Sequence, residues 1–183
     1  AFSSVEAQNF VHLLLKELIK NNYNVVNGFG LGVGSAVING ALDAVYSNPK
    51  NFSESQLILK PFPQFPSGTK DLGTLWEEYR QNMISRAGIS LILFGNKVEG
   101  ANTVNAGGVK REFEIALHHG LIPLPIAYTG FMAKELYDEI SKDFAKNNLD
   151  EEIFNDLSNL TLDKDDLTKS VSQIVSIIKK IAK

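Results

Sequence analysis

One stretch constrains this chain more than any other: Asn27-Gly28-Phe29-Gly30-Leu31-Gly32-Val33-Gly34-Ser35, in which alternate residues are glycine. Before it lies Tyr23-Asn24-Val25-Val26, a short run suited to a buried strand, and after it Ala36 to Tyr46 carries a helical pattern. A strand, a glycine turn and a helix in that order bring bare backbone N–H groups toward an anion. Glycine allows both a close approach and a positive φ, which a Cβ would block. The same run also serves as a tight strand–helix turn with no ligand, and both readings stand at this point. The spacing departs from the dinucleotide fingerprint. Counted from Gly28, the last glycine of G-x-G-x-x-G falls on Val33, and counted from Gly30 it falls on Ser35. A phosphate cradle fits this pattern; ordinary NAD binding by a dehydrogenase does not follow from it.

Helix and strand patterns alternate along the rest of the chain. Ser3 and Glu6 have capping-box spacing, and Phe10, Leu13, Leu14 and Leu18 form the apolar stripe of a first helix ended by Asn21-Asn22. Gln56–Leu59 reads as a second strand. Lys60–Gly68 follows as a proline-stiffened loop, open to two readings: the wall of a pocket or a plain connector. Asp71–Arg86 reads as a third helix, and Ile89–Phe94 as a central strand buried on both faces. Gly95–Gly100 reads as a loop, Val109–His119 as a helix, and Leu121–Ile126 as a strand whose prolines suggest an edge or a short element. Helices are expected over Met132–Lys146, near Glu151–Leu157 and over Asp163–Lys183. No hairpin signal stands out. The expectation is an α/β fold, a Rossmann-like parallel sheet with helices on both faces, in a single domain over residues 1–183.

A length of 183 residues supports one sizeable core, and a net charge of −3 gives no nucleic-acid footprint. There is no cysteine, which excludes disulfides and thiolate metal sites and fits a reducing compartment. No apolar run approaches membrane-spanning length. The opening Ala1-Phe2-Ser3-Ser4 lacks methionine and reads as a processed end or a cut from a longer chain. Nucleic acid and membrane are therefore not expected partners, and the expected location is cytoplasmic. His12 and the adjacent His118-His119 lack metal-ligand spacing, so no metal is expected.

In an open parallel sheet, ligands bind beyond the carboxyl ends of the strands. Three segments are expected there: the glycine turn, the Phe94-Gly95-Asn96-Lys97 loop, and a second glycine turn, Ala106-Gly107-Gly108. Two glycine-led helix starts could each hold a phosphate, which suggests a ligand of the ADP-ribose kind. Arg80 offers a planar fork, Lys97 a mobile charge, and Glu112, placed in the first turn of its helix, an acceptor for ribose hydroxyls. Each also has an ordinary reading, as a solvated charge or a helix cap. Ser35 is read as a phosphate-binding hydroxyl in preference to a nucleophile. The candidate ligand residues are Gly28, Phe29, Gly30, Leu31, Gly34, Ser35, Arg80, Phe94, Gly95, Asn96, Lys97, Ala106, Gly107, Gly108 and Glu112, and no catalytic residue is expected.

These segments together, with Leu91–Lys97 and Asn105–Glu114, resemble the SLOG superfamily, and within it the C-terminal sensor domains of Thoeris anti-phage defence effectors. The resemblance covers nearly the whole chain. It implies a Rossmann-like domain that follows a sirtuin-like NADase domain in a longer effector. It implies a cyclic ADP-ribose isomer as ligand, the 1″–3′ linked form, supplied by a TIR-domain enzyme, with no resident cofactor. It places the family's binding Arg, Lys and Glu on Arg80, Lys97 and Glu112, and a homodimer or higher homo-oligomer is expected. The enzymatic branch, the cytokinin-activating phosphoribohydrolases, carries P-G-G-x-G-T-x-x-E. Here Ala106, Lys110 and Arg111 replace its proline, third glycine and threonine, and only Glu114 keeps the acid position.

Overall fold

In the computed structural model, which describes residues 2–30 and 32–183, the opening helix forms as its cap predicts. The Ser3 side chain accepts from the Glu6 amide and Glu6 returns a bond to the Ser3 amide, starting α1 (Ser4–Lys20). The chain continues through β1 (Val25–Asn27), α2 (Gly34–Ser47), β2 (Leu57–Leu59), α3 (Leu72–Ile84) and β3 (Ile89–Ile92). It then passes β4 (Asn96–Glu99), β5 (Asn102–Asn105), α4 (Gly107–His118), β6 (Ile122–Pro125), α5 (Phe131–Ile140), α6 (Glu151–Ser158) and α7 (Leu167–Ile181). Short 3₁₀ turns precede β2 and α5 and follow α5. The fold is mixed α/β, with parallel strand pairs and flanking helices. No helix among the described residues is long and apolar enough to cross a membrane.

The chain divides into two compact units. One holds residues 2–86 and 163–175. Its strands β1 and β2 pair in parallel, Val25 opposite Leu57 and Asn27 opposite Leu59. Ile19, Ala41, Ala44 and Val45 form a buried cluster on which Val25, Phe52 and Leu57 pack. α1 and α2 approach closely because Gly40 has no side chain: a Cβ there would stand 2.3 Å from the His12 carbonyl oxygen. Asp43 on α2 ties the same pair, accepting from Lys16 Nζ at 2.8 Å and lying 3.0 Å from His12 Nε2. His12, without a ligand-spaced partner in the sequence, thus has a structural one.

The second unit holds residues 87–162 and 176–183. β3 and β6 pair in parallel, Ile89 opposite Ile122 and Ile92 opposite Pro125. The amides of Ile122 and Ile126 donate to Gly88 and Ile92. Pro123 and Pro125 occupy the alternate positions, whose missing N–H groups would face away from β3. α4 and α5 both contact β6, and Phe113, Ile115, Leu136 and Ile140 are fully buried.

The structure corrects several expectations. The residues after β3 are not a loop: β4 and β5 pair antiparallel, Asn96 opposite Asn105 and Glu99 opposite Asn102. Gly100 starts the two-residue turn at φ +63°, the conformation a hairpin of this length needs. The helix expected to Lys146 stops at Ile140, and the Asp143 side chain accepts the Lys146 amide beyond it. The last helix begins at Leu167, not Asp163, because Asp163 Oδ1 accepts from the amides of Asp165 and Asp166 and holds a local turn.

Candidate functional site

Each unit carries one group of the residues singled out by sequence. Gly28, Phe29, Gly30, Gly34, Ser35 and Arg80 belong to the first unit; Phe94, Gly95, Asn96, Lys97, Ala106, Gly107, Gly108 and Glu112 belong to the second. Leu31 lies outside the described residues.

In the first group the strand ends where Asn27 Oδ1 accepts from the Phe29 amide at 2.7 Å. Phe29 follows at φ +53°, a costly conformation for an aromatic residue that persists only where its surroundings enforce it. Its ring lies against Gly34, whose amide donates to the Gly30 carbonyl at 3.1 Å and closes the turn. The four glycines then separate by cause. A Cβ at Gly28 would stand 2.6 Å from Phe62 Cε2, and one at Gly34 would stand 2.9 Å from Phe29 Cδ2. Gly32 adopts φ +95°. At Gly30 neither reason applies: φ is not positive, and a Cβ would meet no described atom within 4 Å. The α2 start that follows has no side-chain cap and no acid in its first turn, where Ser35 is exposed. Arg80 sits half-buried in α3, its guanidinium carbon 5.1 Å from the centre of the Phe62 ring.

The second group is built around a clamped turn. Phe94 and Gly95 take φ +55° and +82°. The Phe94 amide donates to Thr129 Oγ1 at 2.8 Å, and its carbonyl accepts from the Ala133 amide at 2.9 Å. A Cβ on Gly95 would stand 2.7 Å from Met132 Cβ, so only glycine fits. The Phe94 side chain is buried at 7% exposure, which leaves it to shape the turn. The hairpin then leaves and returns, and the Ala106 amide donates to the Gly95 carbonyl at 2.8 Å. Two segments that looked separate in the sequence are thereby neighbours. Asn105 Nδ2 reaches Glu135 at 2.6 Å, and Lys110 pairs with Glu135 and Glu139 at 3.6 and 3.7 Å.

α4 begins at Gly107 with neither a side-chain cap nor a first-turn acid, and a Cβ at Gly107 would meet no described atom within 4 Å. This corrects the placement of Glu112. It is the sixth residue of α4, in the second turn, half-buried, and beyond the turn where the helix dipole acts. Lys97 lies on the exposed β4 and pairs with Glu99 at 3.3 Å. Glu114, the acid position of the hydrolase motif, pairs at 2.9 Å with Arg111 on the exposed side of α4. No cluster of three or more His, Asp or Glu among the described residues is arranged to hold a metal.

Sequence reasoning passed over two contributors. Thr129 holds Phe94 across 35 residues, and no local pattern announces such a contact. Phe62 touches both Gly28 and Arg80; the sequence offers its proline-rich loop as the wall of a pocket or a connector but does not single out the ring.

Known proteins are similar to this chain in sequence over most of its length. NAD(+) hydrolase ThsA of Cytobacillus dafuensis is 45% identical over 140 residues, covering 76% of this chain and 28% of that protein. The ThsA of Bacillus cereus (strain MSX-D12) is 37% identical over 177 residues, 94% of this chain and 36% of that protein. The ThsA of Enterococcus faecium is 34% identical over 182 residues, 98% and 36% respectively. The chain thus spans about a third of the length of these relatives. Residues 1–181, both glycine-led helix starts included, match STALD, the Sir2- and TIR-associating SLOG family, and the chain belongs to that family.

Proposed function

We propose that this chain is a ligand-sensing module of an anti-phage NAD(+) hydrolase, and that it binds a cyclic ADP-ribose isomer, the 1″–3′ linked form, without catalysing a reaction. The observation that carries the reading is the pair of bare helix starts, α2 and α4, each led by glycine and free of acid in its first turn. Such ends offer unopposed N–H dipoles to a phosphate, and the ligand has two phosphates. Gly30 and Gly107 support it, since no described atom around them demands the missing Cβ.

In this reading the amides of the Gly30–Ser35 turn and of Ala106–Gly108 meet phosphate. Arg80 and Lys97 supply charge, and Glu112 accepts from ribose hydroxyls. Membership of a Sir2- and TIR-associating family fits a signal made by a TIR-domain enzyme and an output through a linked sirtuin-like NADase domain. A ligand that prefers one assembly of a homo-oligomer would shift the population toward it. The phosphoribohydrolase alternative, with Glu114 or Glu112 assisting, has less support, because Glu114, the acid in the motif position, is held in an exposed ion pair with Arg111.

Titration calorimetry with cyclic ADP-ribose isomers, linear ADP-ribose and AMP tests the proposal. Heat from the 1″–3′ isomer and none from AMP is expected; silence with every cyclic isomer ends it. Arg80→Ala removes one charged partner of a phosphate and should weaken binding about ten- to a hundredfold.

A further inference from the structure

We propose that Phe62 is a positioning residue for Arg80, holding its guanidinium against the glycine turn before any ligand arrives; this rests on the reading that Arg80 meets a ligand phosphate. The geometry is local to the first unit. Beyond Leu59 the Lys60 amide still donates to the Asn27 carbonyl, at 2.8 Å, so the chain follows β1 up to the start of the glycine turn. On the far side, Trp76 Nε1 donates to the Pro63 carbonyl at 2.7 Å and pins the loop to α3. Phe62 lies between these two pins and between two prolines, Pro61 and Pro63, whose fixed φ removes much of the loop's freedom.

The ring set by those pins does two things. Its edge occupies the space where a Gly28 Cβ would lie, 2.6 Å from Cε2, with Met83 Sδ closing the same spot at 3.3 Å. Its face carries the Arg80 guanidinium at 5.1 Å, and Tyr79 stands beside it at 6.4 Å. An arginine on a surface helix samples many rotamers, and ordering it on binding costs affinity. An aromatic face selects a small subset of them in advance, through cation–π attraction and the fit of a planar group on a planar ring. Gly28 is then glycine so that Phe62 can reach Arg80, and Gly30 is left for the ligand.

Binding of 1″–3′ cyclic ADP-ribose is compared across the intact chain, F62L, F62Y, R80A and F62L/R80A. F62Y keeps the face and should bind within about twofold of the parent, while F62L should lose about five- to tenfold. The double variant should bind no more weakly than R80A. Parent-like affinity in F62L, or losses that multiply in the double variant, overturns the proposal. If R80A binds as the parent does, the assignment of Arg80 to the ligand fails first, and the positioning role falls with it. A second readout needs no ligand. The Arg80 Nε–H resonance should lie upfield in the parent and F62Y, shifted by the ring current, and move to the position of a solvated arginine in F62L. An unmoved resonance overturns the proposal. Should F62L fail to fold, Trp76→Phe removes only the Pro63 pin, and a loss of about two- to threefold is expected, against none if the pin is idle.

Discussion

Two kinds of helix start coexist in this chain. α1, α3 and α6 are closed by their own side chains: Ser3 with Glu6, Asp71 on the Thr74 amide at 3.0 Å, and Asp150 on the Ile153 amide at 2.8 Å. α2, α4 and α5 are closed by none. The chemistry of the first kind excludes the function proposed for the second. A serine or aspartate at the N-cap satisfies an orphan amide and, if acidic, repels an incoming phosphate. Leaving an end bare forgoes that stability; of the three ends that do so, α2 and α4 are the two whose first helical residue is glycine. In the proposed reading the stable ends and the receptive ends are different helices, so substitutions should move one property without the other.

The largest effect should come from converting one kind of end into the other. Ala106 is the N-cap of α4 and has extended geometry, φ −84° and ψ 107°, from which an aspartate side chain reaches the next amides. Ala106→Asp should therefore raise stability by about 0.5–2 kcal/mol, read by thermal denaturation. It should also weaken binding of the cyclic ligand by at least about tenfold, because a fixed carboxylate now occupies the position proposed for a phosphate. A stabilised variant with undiminished affinity would break the comparison at α4. Val33, the N-cap of α2, has a helical ψ of −5° and does not offer the same graft.

Next come two glycines in one turn. Gly28→Ala drives a methyl into Phe62 and should cost about 1–3 kcal/mol of stability. Gly30→Ala meets open space at a φ that alanine tolerates, so stability should hold or rise by about 0.4–1 kcal/mol while ligand affinity falls. Equal stability losses in both variants would show that Gly30 also serves packing.

The sequence and structure agree where local chemistry decides. The Ser3–Glu6 box, the apolar stripe of α1 and the glycine turn before α2 are each specified within a few residues. So is the proline-marked edge of β6. Long-range causes were invisible: which of four glycines answers to Phe62, to Phe29 or to φ depends on contacts across the turn or 34 residues away. The β4–β5 hairpin escaped notice because its strands are polar and exposed, with Val98 and Val104 too few to show an alternation. Gly100-Ala101 between two four-residue runs was the available signal. Glu112 lies one turn further into α4 than its sequence implies, because Gly107 and Gly108 read as turn residues and yet open the helix.

A smaller effect sharpens the other side of the comparison. Asp150→Ala removes the cap of α6 and should cost about 0.5–2 kcal/mol of stability, with ligand affinity unchanged. Loss of affinity would mean that a capped end also takes part in recognition.

The smallest effect is a titration. The hydrogen bond from the Ser3 amide, reinforced by the Ser3 hydroxyl, holds Glu6 down at about 2, and the Thr74 amide holds Asp71 below its ordinary value. Both carboxyls are depressed in the folded state. Their contribution is complete above the ordinary carboxylate range, about pH 4, and is lost as pH falls through the folded values. The amide signals of Glu6 and Thr74 should therefore titrate below pH 4. Asp71→Asn should remove the Thr74 step, because its cap carries no titrating charge. The amides of Gly107 and Gly108 have no first-turn acid beside them and should stay flat across the same window. Titration at those two glycines would reveal a carboxylate already seated at α4, and an end so occupied could not receive a phosphate without first giving it up.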